Sequence, residues 1–271
     1  MKKIILALMV FVVANLSAAD LDLWKNSTLN KIIERGELRV ALDPGYQPFE
    51  MTDKKGRLIG YDVDMAKRMA KDMGVKLKLI PTAWDGVIGG LLSDKYDIIM
   101  GGMTITQKRN LKVNFANSDI TIGQTVMIRK ELASKITNAK QLDSKEYTIA
   151  TKTGTTGEIA AKKFFKNAKL LTFDSSSAAG AEVLAGKADA MIYDQPFIGI
   201  FVGSKGNGQL VHLDTPLTYE PLAWAIRKGD PDFLNWLNNF LRQIKGDKVE
   251  DFYGKIYNKW FVKTDWLKRL K

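Results

Sequence analysis

Three short stretches carry residues whose types and spacing could do chemistry. In GGMTITQKR, Gly101 and Gly102 let a ligand approach the backbone, Thr104 offers a hydroxyl, and Arg109 follows five residues later, within reach of the same pocket across a short helical turn. A guanidinium there suits a carboxylate, because its planar fork donates two parallel hydrogen bonds; a solvated surface arginine is the plain alternative. In TKTGTTGE, Thr155, Thr156 and Gly157 precede a helix whose free N–H groups favour an anion, unless they serve only as its cap. Neither stretch ends in Gly-Lys-Ser/Thr, so neither is a P-loop and phosphate is not the favoured anion. Asp194 closes the apolar run ADAMIYD, where an unpaired carboxylate is costly; it needs a cation, N–H partners or a local turn to cap. Tyr46, Phe49 and Trp84 fall at strand-to-helix turns, where aromatics line an apolar slot or close the core. Two anion holders, one cation holder and several aromatics together describe a pocket for a zwitterion, and an α-amino acid fits it.

An alternation of strands and helices must position these residues. GELRVAL alternates apolar and polar residues into the turn DPGYQPF, and YDVDMAKRMAKDMG repeats at helical spacing through Ala66, Met69, Ala70 and Met73 to a stop at Gly74. VKLKLI reads as a strand, WDGVIGGLLSDK as a helix loosened by glycine, and YDIIM as a short buried strand. The pattern starts afresh after VNFANSDITIGQTVMIRK: strand EYTIA, helix from about Glu158 to Phe165, strand AKLLTF, helix SSAAGAEVLAGK, strand ADAMIYD. Phe233, Trp236, Leu237, Phe240, Leu241 and Ile244 form one apolar stripe of a late helix. This order predicts α/β architecture in two lobes, each a mainly parallel sheet flanked by helices, with sites at the carboxyl ends of strands. The expected division is residues 20–121 with 219–271 in one lobe and 122–218 in the other, joined by hinges near Thr121–Gln124 and Tyr219–Leu222.

Composition narrows the function classes. Residues 1–19 combine Lys2 and Lys3, an apolar stretch too short to span a bilayer, and Ser17-Ala18-Ala19, the layout of a cleaved secretory signal, so the expected location is the periplasm. No cysteine is present, which excludes disulfides, a thiol nucleophile and zinc–thiolate sites. The net charge is +11, or +9 without the leader, but the lysines are scattered and no aromatic-basic alternation marks a strand-binding groove, so nucleic acid is not an expected partner. A single histidine, His212, builds neither a metal site nor a Ser-His-Asp relay, and no cofactor is expected.

LRVALDPGYQPFEMTDKKGRLIGYDVDMAKRMA, WDGVIGGLLSDKYDIIMGGMTITQKRNLKVNFA and GKADAMIYD, in that order, resemble the periplasmic polar-amino-acid-binding proteins of ABC importers, solute-binding protein family 3, of lysine/arginine type. The resemblance covers essentially all of the chain after the leader, and the block around GGMTITQKR is its most specific part. It implies the two-lobed type II periplasmic binding fold, a monomer, an amino-acid ligand and a membrane permease as partner. It further implies that Arg109 and Thr104, with the backbone near Thr156, hold the α-carboxylate, that Asp194 and the Gly102 carbonyl hold the α-ammonium, and that Asp43, Tyr46 and Trp84 meet the side chain. Asp43 at that end suits lysine or arginine, with glutamine as the amide alternative. One departure stands out: Gly157 occupies the place where many relatives carry Gln. The rival reading is a cyclohexadienyl (arogenate/prephenate) dehydratase of the same fold. The resemblance would require a Glu three residues after Asp194 as proton donor, and Phe197 stands there.

Overall fold

The computed structural model describes residues 27–270, so the leader read in residues 1–19 lies outside them. Helix α1 (Thr28–Arg35) stops at Gly36, whose left-handed backbone (φ 68°) turns the chain into β1 (Glu37–Leu42). A small hairpin, β2 (Met51–Thr52) and β3 (Leu58–Ile59), leads into α2 (Tyr61–Met73), which buries Tyr61, Met65, Ala66, Met69 and Ala70. β4 (Lys76–Pro81) follows as the alternation of VKLKLI requires. WDGVIGGLLSDK does not form one continuous α-helix: it splits into a 3-10 turn (Trp84–Gly86) and the short α3 (Val87–Leu92). Three glycines weaken this helix, and Gly90 is kept bare because a Cβ there would lie 2.2 Å from the Tyr96 hydroxyl.

After β5 (Ile98–Ile99) come the single turn α4 (Gln107–Asn110) and β6 (Asn114–Phe115). The chain then crosses by β7 (Ile120–Ile122) into the second α/β unit, formed by β8 (Gln124–Arg129), β9 (Thr148–Lys152), α5 (Thr156–Phe164), β10 (Lys169–Phe173), α6 (Ser176–Leu184), β11 (Ala190–Asp194), α7 (Gln195–Lys205) and β12 (Leu210–Leu213). It returns by β13 (Glu220–Leu222) to β14 (Ala225–Ile226), α8 (Pro231–Gly246) and α9 (Phe252–Tyr257).

The strands make two five-stranded sheets, ordered β4-β1-β5-β14-β6 and β10-β9-β11-β8-β12, flanked by helices. This is the two-lobed α/β arrangement expected from the sequence, with one refinement. In each sheet four strands point one way, and the reversed one, β14 or β8, is the strand by which the chain enters from the other sheet. Between the sheets β7 and β13 pair antiparallel, with Thr121 opposite Pro221. The stripe on α8 buries Phe233, Leu237, Phe240, Leu241 and Ile244, each contributing about 1.5–3 kcal/mol of hydrophobic stabilisation, while Trp236 is half-buried. Asp230 ties the ends of the first unit together: one carboxylate oxygen caps α8 by accepting from the Phe233 N–H (3.0 Å), and the other accepts from the Thr28 N–H (2.6 Å). Among the described residues, no helix is long and apolar enough to cross a membrane.

Candidate functional site

The parallel strands aim their carboxyl ends at one cleft between the two sheets. β1 delivers Asp43 and then a loop that folds back on itself, with Tyr46 bridged to Glu50 and the Glu50 N–H donating to the Tyr46 carbonyl (3.0 Å). β5 delivers Gly101, Gly102 and Thr104. Both glycines are required by close approach: a Cβ on Gly102 (φ 58°) would sit 2.3 Å from the Tyr46 ring, and one on Gly101 would sit 2.9 Å from a Glu50 carboxyl oxygen. From the other sheet β9 delivers Lys152 and the turn to Thr155 and Thr156, and β11 delivers Tyr193 and Asp194. The cleft has a volume of about 320 Å³ including its mouth. Asp43, Tyr46, Trp84, Gly102, Thr104, Arg109, Thr156 and Asp194 all line it, so the structure brings these eight residues together, whereas Phe49 and Gly157 do not line it.

Arg109 is not a solvated surface residue. The Thr106 hydroxyl caps its short helix by accepting from the Arg109 N–H (3.2 Å), and the half-buried guanidinium donates to the Thr104 carbonyl (2.9 Å). Its carbon lies 5.3 Å from the Trp84 ring centre. Burial lowers the Arg109 pKa from its usual value, while Glu220 and Asp194 oppose the shift. Asp194 starts α7 but makes no side-chain cap. Its carboxylate turns into the cleft, where the Tyr46 hydroxyl and the Gln124 amide donate to it. Burial raises its pKa to about 6 against these hydrogen bonds, and Glu220 adds to the rise. Thr155 likewise fails to cap α5, since its hydroxyl donates to the Lys152 carbonyl (2.7 Å). The N-terminus of α5 therefore meets the cleft without a side-chain cap. The aromatics divide by role. Phe49 is core, stacked on Tyr46 at 4.7 Å; Tyr46 joins core to cleft; Trp84 spans the cleft, its indole N–H donating to the Gly154 carbonyl (3.1 Å).

Four residues were missed by the sequence reasoning. Lys152 is buried, ion-paired with Asp43, and lies 5.4 Å from the Trp84 ring centre, so the carboxylate given to a ligand cation already holds a cation from the opposite lobe. Glu50 is fully buried and lines the cleft. Tyr193 packs edge-on to Tyr46 at 5.8 Å. Gln124, also fully buried, joins Thr151 in crowding the glycine at position 157: a Cβ there would lie 2.9 Å from the Thr151 hydroxyl and 3.1 Å from the Gln124 amide oxygen. An amide reaching from β8 thus occupies the space next to this helix start, and its NH2 also lies 3.3 Å from the Thr156 hydroxyl. Phe197 is buried against Tyr193 and Phe201, so no acid enters the cleft from that position.

Residues 38–263 match the family model described as bacterial extracellular solute-binding proteins, family 3. Among solved structures, a putative binding component of an ABC transporter from Wolinella succinogenes, complexed with lysine, is similar with 58% identity and a TM-score of 0.83, covering 86% of this chain and 99% of that one. The L-cystine-binding protein of Escherichia coli (strain K12) is 28% identical over 233 residues, 86% of this chain and 85% of its own length. The cyclohexadienyl dehydratase of Pseudomonas aeruginosa is 29% identical over 230 residues, 84% of each chain.

Proposed function

Because the chain belongs to the bacterial extracellular solute-binding proteins, family 3, we propose that it captures free L-lysine, with arginine next, between its lobes and delivers it to the membrane permease of an ABC importer. The observation that carries this reading is the charge layout of the cleft. The Arg109 guanidinium and the uncapped start of α5 offer donors to a carboxylate, and the buried Asp194 offers an acceptor to an ammonium. These are the two fixed groups of any α-amino acid. In this account Arg109, Thr104 and the backbone at Thr156 hold the α-carboxylate, Asp194 and the Gly102 carbonyl hold the α-ammonium, and Asp43, Tyr46 and Trp84 meet the side chain. The lysine in the Wolinella neighbour supports the choice among side chains; glutamine is the alternative, since a carboxylate also accepts from an amide.

Lobe one, residues 20–121 with 219–271, and lobe two, residues 122–218, close as a monomer about the paired strands β7 and β13 in the periplasm. Capture breaks no covalent bond and requires no cofactor. The dehydratase reading is favoured by the Pseudomonas relative but lacks its expected acid, because Phe197 is buried in an aromatic stack. A thermal-shift screen against the twenty amino acids tests the proposal. A ligand at a hundred times its dissociation constant stabilises the fold by about 2.7 kcal/mol, and lysine should give the largest shift. A larger shift with another amino acid replaces lysine, and phenylpyruvate or phenylalanine formed from prephenate or arogenate replaces binding with catalysis.

A further inference from the structure

Glu50 has no task in the contacts assigned above. It is fully buried, it lines the cleft, and neither of its carboxyl oxygens makes a hydrogen bond of good geometry, although the Asp43 backbone N–H and the Asp62 carboxyl lie close to it. Leaving such a group without donors is costly unless something arrives to use it. The charges around it define what that is. Asp43 from the end of β1 is already paired with Lys152 from the end of β9, so these two cancel. The remaining neighbours are Asp62 on α2, an acid, and the neutral phenols of Tyr46 and Tyr193. Ionising Glu50 therefore adds one uncompensated negative charge to this end of the cleft, beside Asp62, an acid whose own pKa burial and Asp119 push up, and protonating Glu50 removes that charge.

We propose that Glu50, rather than Asp43 alone, is the specificity-determining residue that accepts the side-chain cation of the ligand, and that lysine binding expels the Glu50 proton. The inference rests on the lysine reading above and names the group that enforces it. Burial, with Asp62 and Asp43 nearby, holds Glu50 well above the usual carboxylate range against the pull of Lys152 and of the Asp43 backbone N–H, which favours the protonated form before a cation arrives. An incoming ammonium reverses the balance: the carboxylate gains an opposite charge at contact distance and its proton passes to the buffer. A ligand with an apolar side chain supplies no such charge and leaves the proton in place. A purely structural Glu50, sharing its proton with Asp62 to hold the loop against α2, would behave alike with both ligands.

The test compares L-lysine with L-norleucine, which has an unbranched four-carbon side chain without the ammonium, by calorimetry in buffers of different ionisation enthalpy. The wild type should release more protons with lysine than with norleucine. Glu50→Gln should lower the preference for lysine over norleucine by about ten-fold or more and abolish the extra proton release. Circular dichroism and the norleucine affinity of the variant separate this from misfolding. A wild type preferring lysine with equal proton release for both ligands overturns the role of Glu50 without touching the ligand reading, as does an E50Q variant that keeps the preference. A wild type with no preference for lysine overturns both.

Discussion

Lysine affinity should fall steeply in mild acid, and Asp194 sets the scale. Its carboxyl is buried, with a pKa raised to about 6 from 3.8, and in the proposed complex it must be ionised to receive the α-ammonium. The binding-competent fraction of the free protein is near complete at pH 7 and about one in eleven at pH 5. The affinity therefore drops about tenfold between these values, or about 1.4 kcal/mol. The carboxylate of lysine stays ionised throughout, so the change belongs to the protein. For lysine, Glu50 pushes in the same direction. In the free protein the sign is opposite. The native state holds the Asp194 proton above the pH at which the unfolded chain releases it, so this group's contribution to stability is full below about pH 4 and is lost as pH rises through about 6. Asp119, raised by burial to about 7, adds a loss of the same sign that extends to that pH. Calorimetric titrations at pH 5, 6 and 7 read the binding term directly. A lysine affinity constant within twofold over this range would refute the role given to Asp194.

Replacing Arg109 by Lys keeps the charge but loses the planar fork; affinity should fall roughly tenfold or more, for one charge-assisted hydrogen bond worth about 1.5–3 kcal/mol, with an unchanged circular dichroism spectrum. Gly102→Ala forces a Cβ against the Tyr46 ring at a positive φ, so urea denaturation should show a loss of about 1–3 kcal/mol and titration a weaker ligand complex. Trp84 to Gly154, Tyr46 to Asp194 and Lys152 to Asp43 all join the two sheets across the cleft, a closed arrangement that must open to load. Small-angle scattering should accordingly show a smaller radius of gyration with saturating lysine, and an identical radius would mean that these contacts persist without ligand.

Much of this fold was legible because its longer elements carry strong periodicity. The alternation in Glu37–Leu42, the helical spacing from Tyr61 to Met73 and the stripe on Pro231–Gly246 each match the observed element. Strands of two or three residues, β6, β7, β13 and β14, are too short to show any period, and they include the paired strands between the sheets and one of the two reversed strands. The site followed the same division. Arg109 and Asp194 were visible because they end motifs at the carboxyl ends of strands. Lys152 ends β9 as Asp194 ends β11, and the same rule applied once more would have found it. Gln124 lies at the amino end of β8, and only the reversal of that strand brings it to the cleft. Glu50 enters because its loop folds back onto Tyr46, a pairing that no local pattern announces.

The central claim is that one free amino acid lies in this cleft with its two α-groups on Arg109 and Asp194. A crystal structure grown with L-lysine measures this most directly. The account predicts a single lysine between the lobes, its α-carboxylate in contact with the Arg109 guanidinium, its α-ammonium on the Asp194 carboxylate, and its terminal ammonium within reach of Glu50. Lysine absent from the cleft at saturating concentration, or bound there with its α-groups away from both residues, would contradict it.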